Sequence, residues 1–449
     1  MRYIPSTEEQ REEMLKEIGV SSFEELVSGV HEKIMPKGKL KIPEAIPEAE
    51  LADHILQISR KNYDFRLCKS LLGGGAYRHY IPEAENFLLQ REEFWTAYTP
   101  YQPELSQGTL QMMFEYQSFL ARLTRMEVVI TSIYDGASAT AEAALLTLRL
   151  TKKNKIVISA AVHPHYRETV KTYTAPHNTE IIELPHKEAM VDVEKLKELI
   201  SGDDVASVIV QNPNFFGGIE NIAGISELVH DNKKTLLINS IAESMSLAVL
   251  KAPGELGVDI VAGEAQSFGL NLNYGGPYNG YLATRKQYIR QIPGRISGET
   301  VDEDGKRVFV MTMRAREQDI RRQKATSNIC SNHGLNSVAA DIYLSLMGTE
   351  GLYKLSLLNT KAAHYLEKLL LKSGKFEKVY TYPFYNEFLL KSKNSLATLN
   401  QRLLENNFMP PLAVGQFYKG PQWENVLLFA VTELLSRDDL NRVAEILSS

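Results

Sequence analysis

The chain has only two cysteines, Cys68 and Cys330, in 449 residues. That excludes a disulfide framework and a cysteine-rich metal site. Its apolar runs fall far short of the roughly 20 residues needed to span a bilayer. An excess of one charge is also missing: 50 Lys and Arg against 55 Asp and Glu give −5. So small an imbalance removes the electrostatic case for nucleic acid and the polybasic case for an anionic membrane. From Ser6 the N-terminus is polar and acidic, so we expect neither a secretory leader nor a transit peptide. No G-x-x-x-x-G-K-S/T, no G-x-G-x-x-G after a strand and no G-x-S-x-G occurs, which disfavours P-loop, Rossmann and serine-hydrolase chemistry. His163-Pro164-His165 pairs two imidazoles, but no carboxylate or thiol cluster beside them completes a metal set, and a structural role at a strand end is the simpler reading. A cytoplasmic globular protein is expected.

The first sixty residues are helical in pattern. Ser6-Thr7-Glu8-Glu9 precedes Met14, Leu15 and Ile18 at helical spacing, and Leu51, Ile55, Leu56 and Ile58 mark a further helix after Pro36, Pro43 and Pro47. Such a strandless arm either wraps a partner or caps a neighbouring domain. A helix after Ser106 follows, carrying Leu110, Met113, Phe114, Leu120 and Leu123. Short β-branched runs then alternate with helical segments: strands are expected over 128–131, 156–159, 179–184, 205–210, 236–238, 258–262 and 280–284. The intervening helices include 191–200 and 219–230. This alternation predicts βαβ crossovers and a mostly parallel sheet buried on both faces. Beyond residue 300 the pattern changes to a hairpin centred on Asp304-Gly305, a long helix over 335–372, and mixed strands (379–382, 426–431) and helices (396–406, 437–447). We therefore expect three parts: an arm over 1–62, a large α/β domain over 63–310 and a small α+β domain over 311–449.

Two segments invite a ligand. Tyr134-Asp135-Gly136-Ala137-Ser138-Ala139-Thr140 lies between a strand and a helix, where small residues and helix-end amides suit an anion. A tight strand–helix turn explains it equally well. Gly73-Gly74-Gly75 follows no clear strand and reads first as a plain loop.

The order Gln211-Asn212-Pro213-Asn214-Phe215-Phe216-Gly217-Gly218, then a helix, a strand, and Asp259-Ile260-Val261-Ala262-Gly263-Glu264-Ala265-Gln266-Ser267-Phe268-Gly269 running to Gly275-Gly276-Pro277, resembles the fold-type I pyridoxal-phosphate (PLP) enzymes. Those are aminotransferase-like transferases. The resemblance implies a lysine that bonds the cofactor's aldehyde and an aspartate that holds the pyridine nitrogen protonated. Here the lysine position falls on Gln266, after Ala265, and the aspartate position on Ser240. No lysine lies between Lys251 and Lys286. No catalytic residue is therefore assigned to this chain, which alone should be silent.

Three longer stretches narrow the resemblance. They are Tyr98-Thr99-Pro100-Tyr101-Gln102-Pro103-Glu104-Leu105-Ser106, Gly73-Gly74-Gly75-Ala76-Tyr77-Arg78-His79-Tyr80, and Arg316-Glu317-Gln318-Asp319-Ile320-Arg321-Arg322-Gln323-Lys324-Ala325-Thr326-Ser327-Asn328. Over nearly its whole length the chain is similar to the glycine decarboxylase (P-protein) family of the glycine cleavage system, in the form of its separate N-terminal subunit. The resemblance implies an oxidoreductase acting on CH–NH2 with a disulfide acceptor: glycine is decarboxylated and its aminomethyl group passes to the lipoyl arm of the H-protein. It implies an α2β2 assembly with a lysine-bearing subunit 2, which holds the PLP.

Thr326, Ser327 and Asn328 are then candidates to reach the partner's cofactor phosphate, the alternatives being a cap for a helix over 335–346 or a buried turn. Tyr98, Tyr101, Gln102 and Glu104 are candidates for the mouth of a shared site, or simple interface packing. Arg314, Arg316, Arg321 and Arg322 read as a solvated helix face or as partners for a carboxylate. His163 and His165 would overlie a relic cavity. A self-sufficient fold-type I enzyme and a scaffold protein without PLP chemistry remain the alternatives.

Overall fold

The computed structural model describes residues 5–38, 40–62, 67–231, 234–327, 329 and 333–448. Its contacts divide the chain into two compact units, Met1–Asp64 and Phe65–Ser449. The first unit contains α1 (Glu8–Ile18) and α2 (Glu48–Ser59). Helix α1 starts where Thr7 and Gln10 cap one another's backbone amides, and stops at Gly19, whose φ of +85° suits only a residue without Cβ.

The second unit is built on a seven-stranded sheet: β1 (Val128–Val129), β2 (Lys155–Ser159), β3 (Glu180–Leu184), β4 (Val205–Gln211), β5 (Leu236–Ile241), β6 (Ile260–Glu264) and β7 (Gly280–Thr284). Spatial order is β1-β7-β6-β5-β4-β2-β3, with β3, β2, β4, β5 and β6 parallel and β7 antiparallel to both neighbours. Helix α3 (Gln107–Thr124) precedes β1, and the connections between strands run through α4 (Gly136–Thr151), α5 (Pro164–Thr174), α6 (Val193–Leu199) and α7 (Ile222–Asp231). The β-branched runs form strands because both faces are buried. Val157, Val208, Val210, Leu237 and Val261 face a core shared with Tyr116 and Leu120 of α3. Ile156, Ile158, Ile209, Ile238 and Ile260 face the alanine-rich side of α4.

After β7 come the hairpin β8 (Ile296–Val301) with β9 (Arg307–Thr312), then α8 (Gly334–Lys372). Asp302 Oδ1 accepts the amides of Asp304 and Lys306 and so shapes the hairpin turn. The domain border expected at 310/311 falls inside β9. Helix α8 is broken at Gly348 (φ 58°, ψ −179°), so the long helical stretch expected over 335–372 consists of two helices meeting at a kink. A four-stranded antiparallel sheet of β10 (Phe376–Lys378), β11 (Glu387–Ser392), β12 (Leu412–Ala413) and β13 (Val426–Ala430), in the order β10-β11-β13-β12, closes the unit. Leu366 and Leu370 of α8 pack against it with α9 (Leu396–Glu405) and α10 (Arg437–Ser448).

Among the expected elements whose bounds differ, three do so where a distant group takes over the chain. The strand expected over 128–131 ends at Val129, because Thr131 turns to donate its amide to Arg295 O at 2.9 Å. The helix expected from 219 starts at Ile222, the amide of Ile219 being held by Pro383 O at 2.8 Å. The strand expected over 379–382 is irregular chain: pairing ends at Lys378, and Tyr382 instead donates its hydroxyl to Phe216 O at 2.7 Å.

Candidate functional site at the strand ends

The carboxyl ends of β2, β4, β5 and β6 open on one edge, where parallel α/β sheets bind ligands. Here that edge is covered by the chain's own residues 73–80. Tyr77 donates its amide to Gln266 Oε1 at 2.8 Å, and Gln266 Nε2 donates back to Tyr77 O at 2.8 Å and to Leu270 O at 2.7 Å. A carboxamide makes both halves of this clasp because it donates and accepts from one end, whereas a lysine ammonium would only donate. Glu387 of β11 fixes the other side of the segment: its carboxylate accepts from Gly74 N at 2.7 Å and from the Tyr77 hydroxyl at 2.7 Å. Burial raises Glu387 to about 7, against the pull of those two donors. The amide of Gly75 goes to the Tyr77 hydroxyl. The amides of Gly74 and Gly75 are thus already used, which settles the Gly-Gly-Gly run as a structural loop.

His163, the cap of α5, donates from Nε2 to Gly74 O at 2.6 Å and accepts the amide of His165 on Nδ1 at 3.1 Å. Those two bonds define a neutral ring with its proton on Nε2. Burial lowers its pKa to about 4, more than the bond to Gly74 restores. A Cβ on Gly75, whose φ is +108°, would stand 2.8 Å from His163 Cδ2 and Nε2. Glycine is required there for both reasons. Among the described residues no group of three or more His, Cys, Asp or Glu is placed to hold a metal ion.

Next along the segment, His79 is enclosed between two carboxylates. Its Nδ1 lies 2.9 Å from Glu433 Oε2 and its Nε2 3.0 Å from Glu243 Oε2. Both nitrogens face acceptors, so both carry protons and the ring is a cation. Burial by itself would push that cation's pKa down, but Glu243 and Glu433 outweigh it and hold His79 at about 10. Glu243, just beyond β5, also accepts from Ser267 Oγ and Met245 N.

At the start of α4, Asp135 caps the helix by accepting from Ser138 N at 2.7 Å. Glu264, the last residue of β6, accepts the amides of Gly136 at 2.9 Å, Gln266 at 3.0 Å and Asn279 at 3.0 Å. Ser240 of β5 lies 2.9 Å, hydroxyl to hydroxyl, from Thr140 of α4.

The other expected site residues lie elsewhere. Thr326 and Ser327 line a cleft of about 920 Å³ beside α4, together with Arg149, Lys152, Arg321 and Lys324. Ser327 Oγ donates to Glu142 Oε1 at 2.7 Å, and the amide of Thr326 goes to Arg316 O. Asn328 lies outside the described residues. His333 occupies the N-cap position of α8, with no side-chain capping bond, so neither Thr326 nor Ser327 stands at that position. Tyr98 lines a separate cavity of about 280 Å³ with Trp95, Met112, Met113 and Val338. Tyr101 lies under the guanidinium groups of Arg295 and Arg314, 5.7 and 5.9 Å from its ring centre. Gln102 and Glu104 are exposed or nearly so, around a short 3-10 turn. The arginine cluster expected on a solvated face is split. Arg316 is buried and bonds Ile292 O, while Arg314 pairs with Asp319.

A family model for the glycine cleavage system P-protein matches residues 1–447. The chain belongs to that family. It is 46% identical over 441 residues to a probable glycine dehydrogenase (decarboxylating) subunit 1 from Moorella thermoacetica, covering 98% of each chain. It is 43% identical over 444 residues to the protein of the same name from Anoxybacillus flavithermus, covering 99% of this chain and 98% of that one. A crystal structure of glycine decarboxylase (P-protein) of the glycine cleavage system, in inhibitor-bound form, superposes with a TM-score of 0.90 at 38% identity, covering 100% of this chain and 99% of that one. The fold recurs at 15% identity in the glutamate decarboxylase of Lactobacillus brevis, with a TM-score of 0.67 over 94% of this chain and 98% of that one. The chain therefore has the fold-type I architecture that the sequence suggested.

Enzymes of this architecture use PLP, and the residues at this chain's strand ends do not fit it. Gln266 ends in an amide locked onto Tyr77, Ser240 is bonded to Thr140, and the amides of Gly136 and Ser138 at the start of α4 are taken by Glu264 and Asp135. Sequence reasoning missed Glu264, Glu243, Glu387, Glu433 and the role of His79. No spacing announces them, because they converge from β6, β11, the segment 73–80 and the loops after β5 and β13. The one available signal was the His79 inside a stretch already singled out for its unusual composition.

Proposed function

We propose that this chain is the non-catalytic half of a two-subunit glycine decarboxylase. In this reading it assembles as α2β2 with a lysine-bearing subunit 2, which carries the PLP. The assembly decarboxylates glycine, releases CO2 and passes the aminomethyl group to the lipoyl arm of the H-protein, in the cytoplasm. The observation that carries the reading is Gln266: at the end of β6 it offers a carboxamide, which forms no imine, and that carboxamide is committed to Tyr77.

When bound, PLP supplies an electron sink, and we assign that chemistry wholly to the partner. The role of this chain is then to complete the partner's site. The Thr326 hydroxyl, on the rim of a cleft that also carries Arg149, Arg321 and Lys324, is its candidate donor to the partner's cofactor phosphate. Ser327 is turned toward Glu142 and is the weaker candidate of the two. Tyr98, Tyr101, Gln102 and Glu104 lie on a strandless stretch suited to the mouth of a shared site, with Tyr101 held by two arginines. The test is to mix the purified chain with a lysine-bearing subunit 2 and follow exchange of bicarbonate with the carboxyl carbon of glycine. Exchange that needs both chains supports the proposal. Exchange by this chain alone, or none from the mixture, overturns it.

A further inference from the structure

The amide cluster at the start of α4 is the chain's clearest anion seat by sequence, yet nothing in the proposed division of labour uses it. It belongs to a helix of 16 residues, long enough to carry a substantial dipole. Small residues at 136–139 leave its first turn open to close approach, and it sits at the strand edge where ligands of such sheets bind. The structure shows what lies there. Glu264 is buried and receives three N–H groups, those of Gly136, Gln266 and Asn279.

Each of the three donors comes from a different stretch of chain, so the carboxylate joins the helix start, the end of β6 and the approach to β7. Asp135 takes the amide of Ser138 in the same turn. The Gly136 side of this arrangement is closed: a Cβ there would overlap the Tyr166 hydroxyl oxygen and lie 3.0 Å from Glu264 Cβ. A phosphate entering here would also meet two carboxylates, Glu264 and Asp135, across a buried surface, which opposes a second anion.

We infer that Glu264 is a built-in ligand: its carboxylate fills the anion seat of α4 and keeps phosphate-bearing cofactors out of this chain. This deepens, and rests on, the reading that the cofactor belongs to the partner subunit. It adds a cause for the exclusion that is separate from the missing lysine. An amine installed at position 266 would still face an occupied phosphate seat. Burial, with Asp135 nearby, raises Glu264 to about 7 while its three donors pull it back, so the seat holds a carboxylate at pH 8.

Chemical rescue tests this on the full-length chain. Glu264→Ala leaves three buried N–H groups without an acceptor and a space the size of a small carboxylate. At pH 8 its Tm should fall by about 5 °C, and 50 mM sodium formate should restore at least half of that loss. Sodium chloride at equal ionic strength should restore none, and formate should not shift the wild type. An unchanged Tm, or formate acting no better than chloride, overturns the inference. If Glu264→Ala is insoluble, Glu264→Gln fills the same space but presents an amide group to one of the donors. Hydrogen–deuterium exchange over residues 133–139 should then be at least tenfold faster than in the wild type, with β4 unchanged. Equal exchange in that segment overturns the inference. None of these readouts involves a second subunit, so failure of the mixing experiment leaves them intact and their failure leaves it intact.

Discussion

Replacing Gln266 with methionine preserves the length and most of the volume of the side chain and removes both halves of its clasp on Tyr77. Tyr77 is buried, so water does not substitute for what is lost. Its amide and its carbonyl are each left unpaired, at about 1–3 kcal/mol apiece. The thioether packs against the same neighbours and returns up to about 1 kcal/mol through added apolar burial. The net expectation is a loss of about 1–6 kcal/mol, the upper part of which is exceptional for a single substitution in a folded chain. Urea unfolding followed by fluorescence, with the slope compared to the wild type, measures the loss. Hydrogen exchange over residues 73–77 should accelerate with it, because Gln266, His163 and Glu387 hold that part of the segment to the strand ends. A change below about 0.5 kcal/mol, the usual scatter for substitutions that touch nothing, would refute the reasoning.

Gly75→Ala should destabilise the same segment by about 2 kcal/mol or more, since the new methyl group displaces the His163 ring and the backbone there has φ +108°. Thermal unfolding read alongside a Gly305→Ala control, which keeps a positive φ but meets no atom within 4 Å, separates the clash from the backbone cost. His79→Leu removes the cation between Glu243 and Glu433 and should cost about 3–5 kcal/mol at pH 7, as for other broken buried pairs. The sign with pH follows from the direction of the shift. A histidine raised to about 10 stabilises the fold fully below its unfolded pKa near 6.5 and loses that contribution as pH climbs toward 10. Wild type should therefore lose stability between pH 7 and 10 faster than His79→Leu; parallel pH profiles would show that the ring is not charged.

The fold was legible in the sequence because its strongest signal is local. Runs such as Ile156-Val157-Ile158 and Val208-Ile209-Val210, separated by helical segments, have few arrangements other than a parallel sheet covered on both sides. The hairpin around Gly305 was legible for the same reason. Boundaries were less so where a distant group took over a backbone amide, as Arg295 does at Thr131 and Pro383 at Ile219.

The order of strands and helices in the sequence determined the α/β class, and the family resemblance placed a glutamine and a serine where an amine and a carboxylate would be expected. What replaces a ligand at the strand ends only the tertiary structure decided. Gln266 and Tyr77 are 189 positions apart, Glu264 and Gly136 are 128 apart, and His79 and Glu433 are 354 apart. Buried polar groups select partners by distance and hydrogen-bond geometry, and proximity across such separations exists only once the sheet and the loops around it have closed.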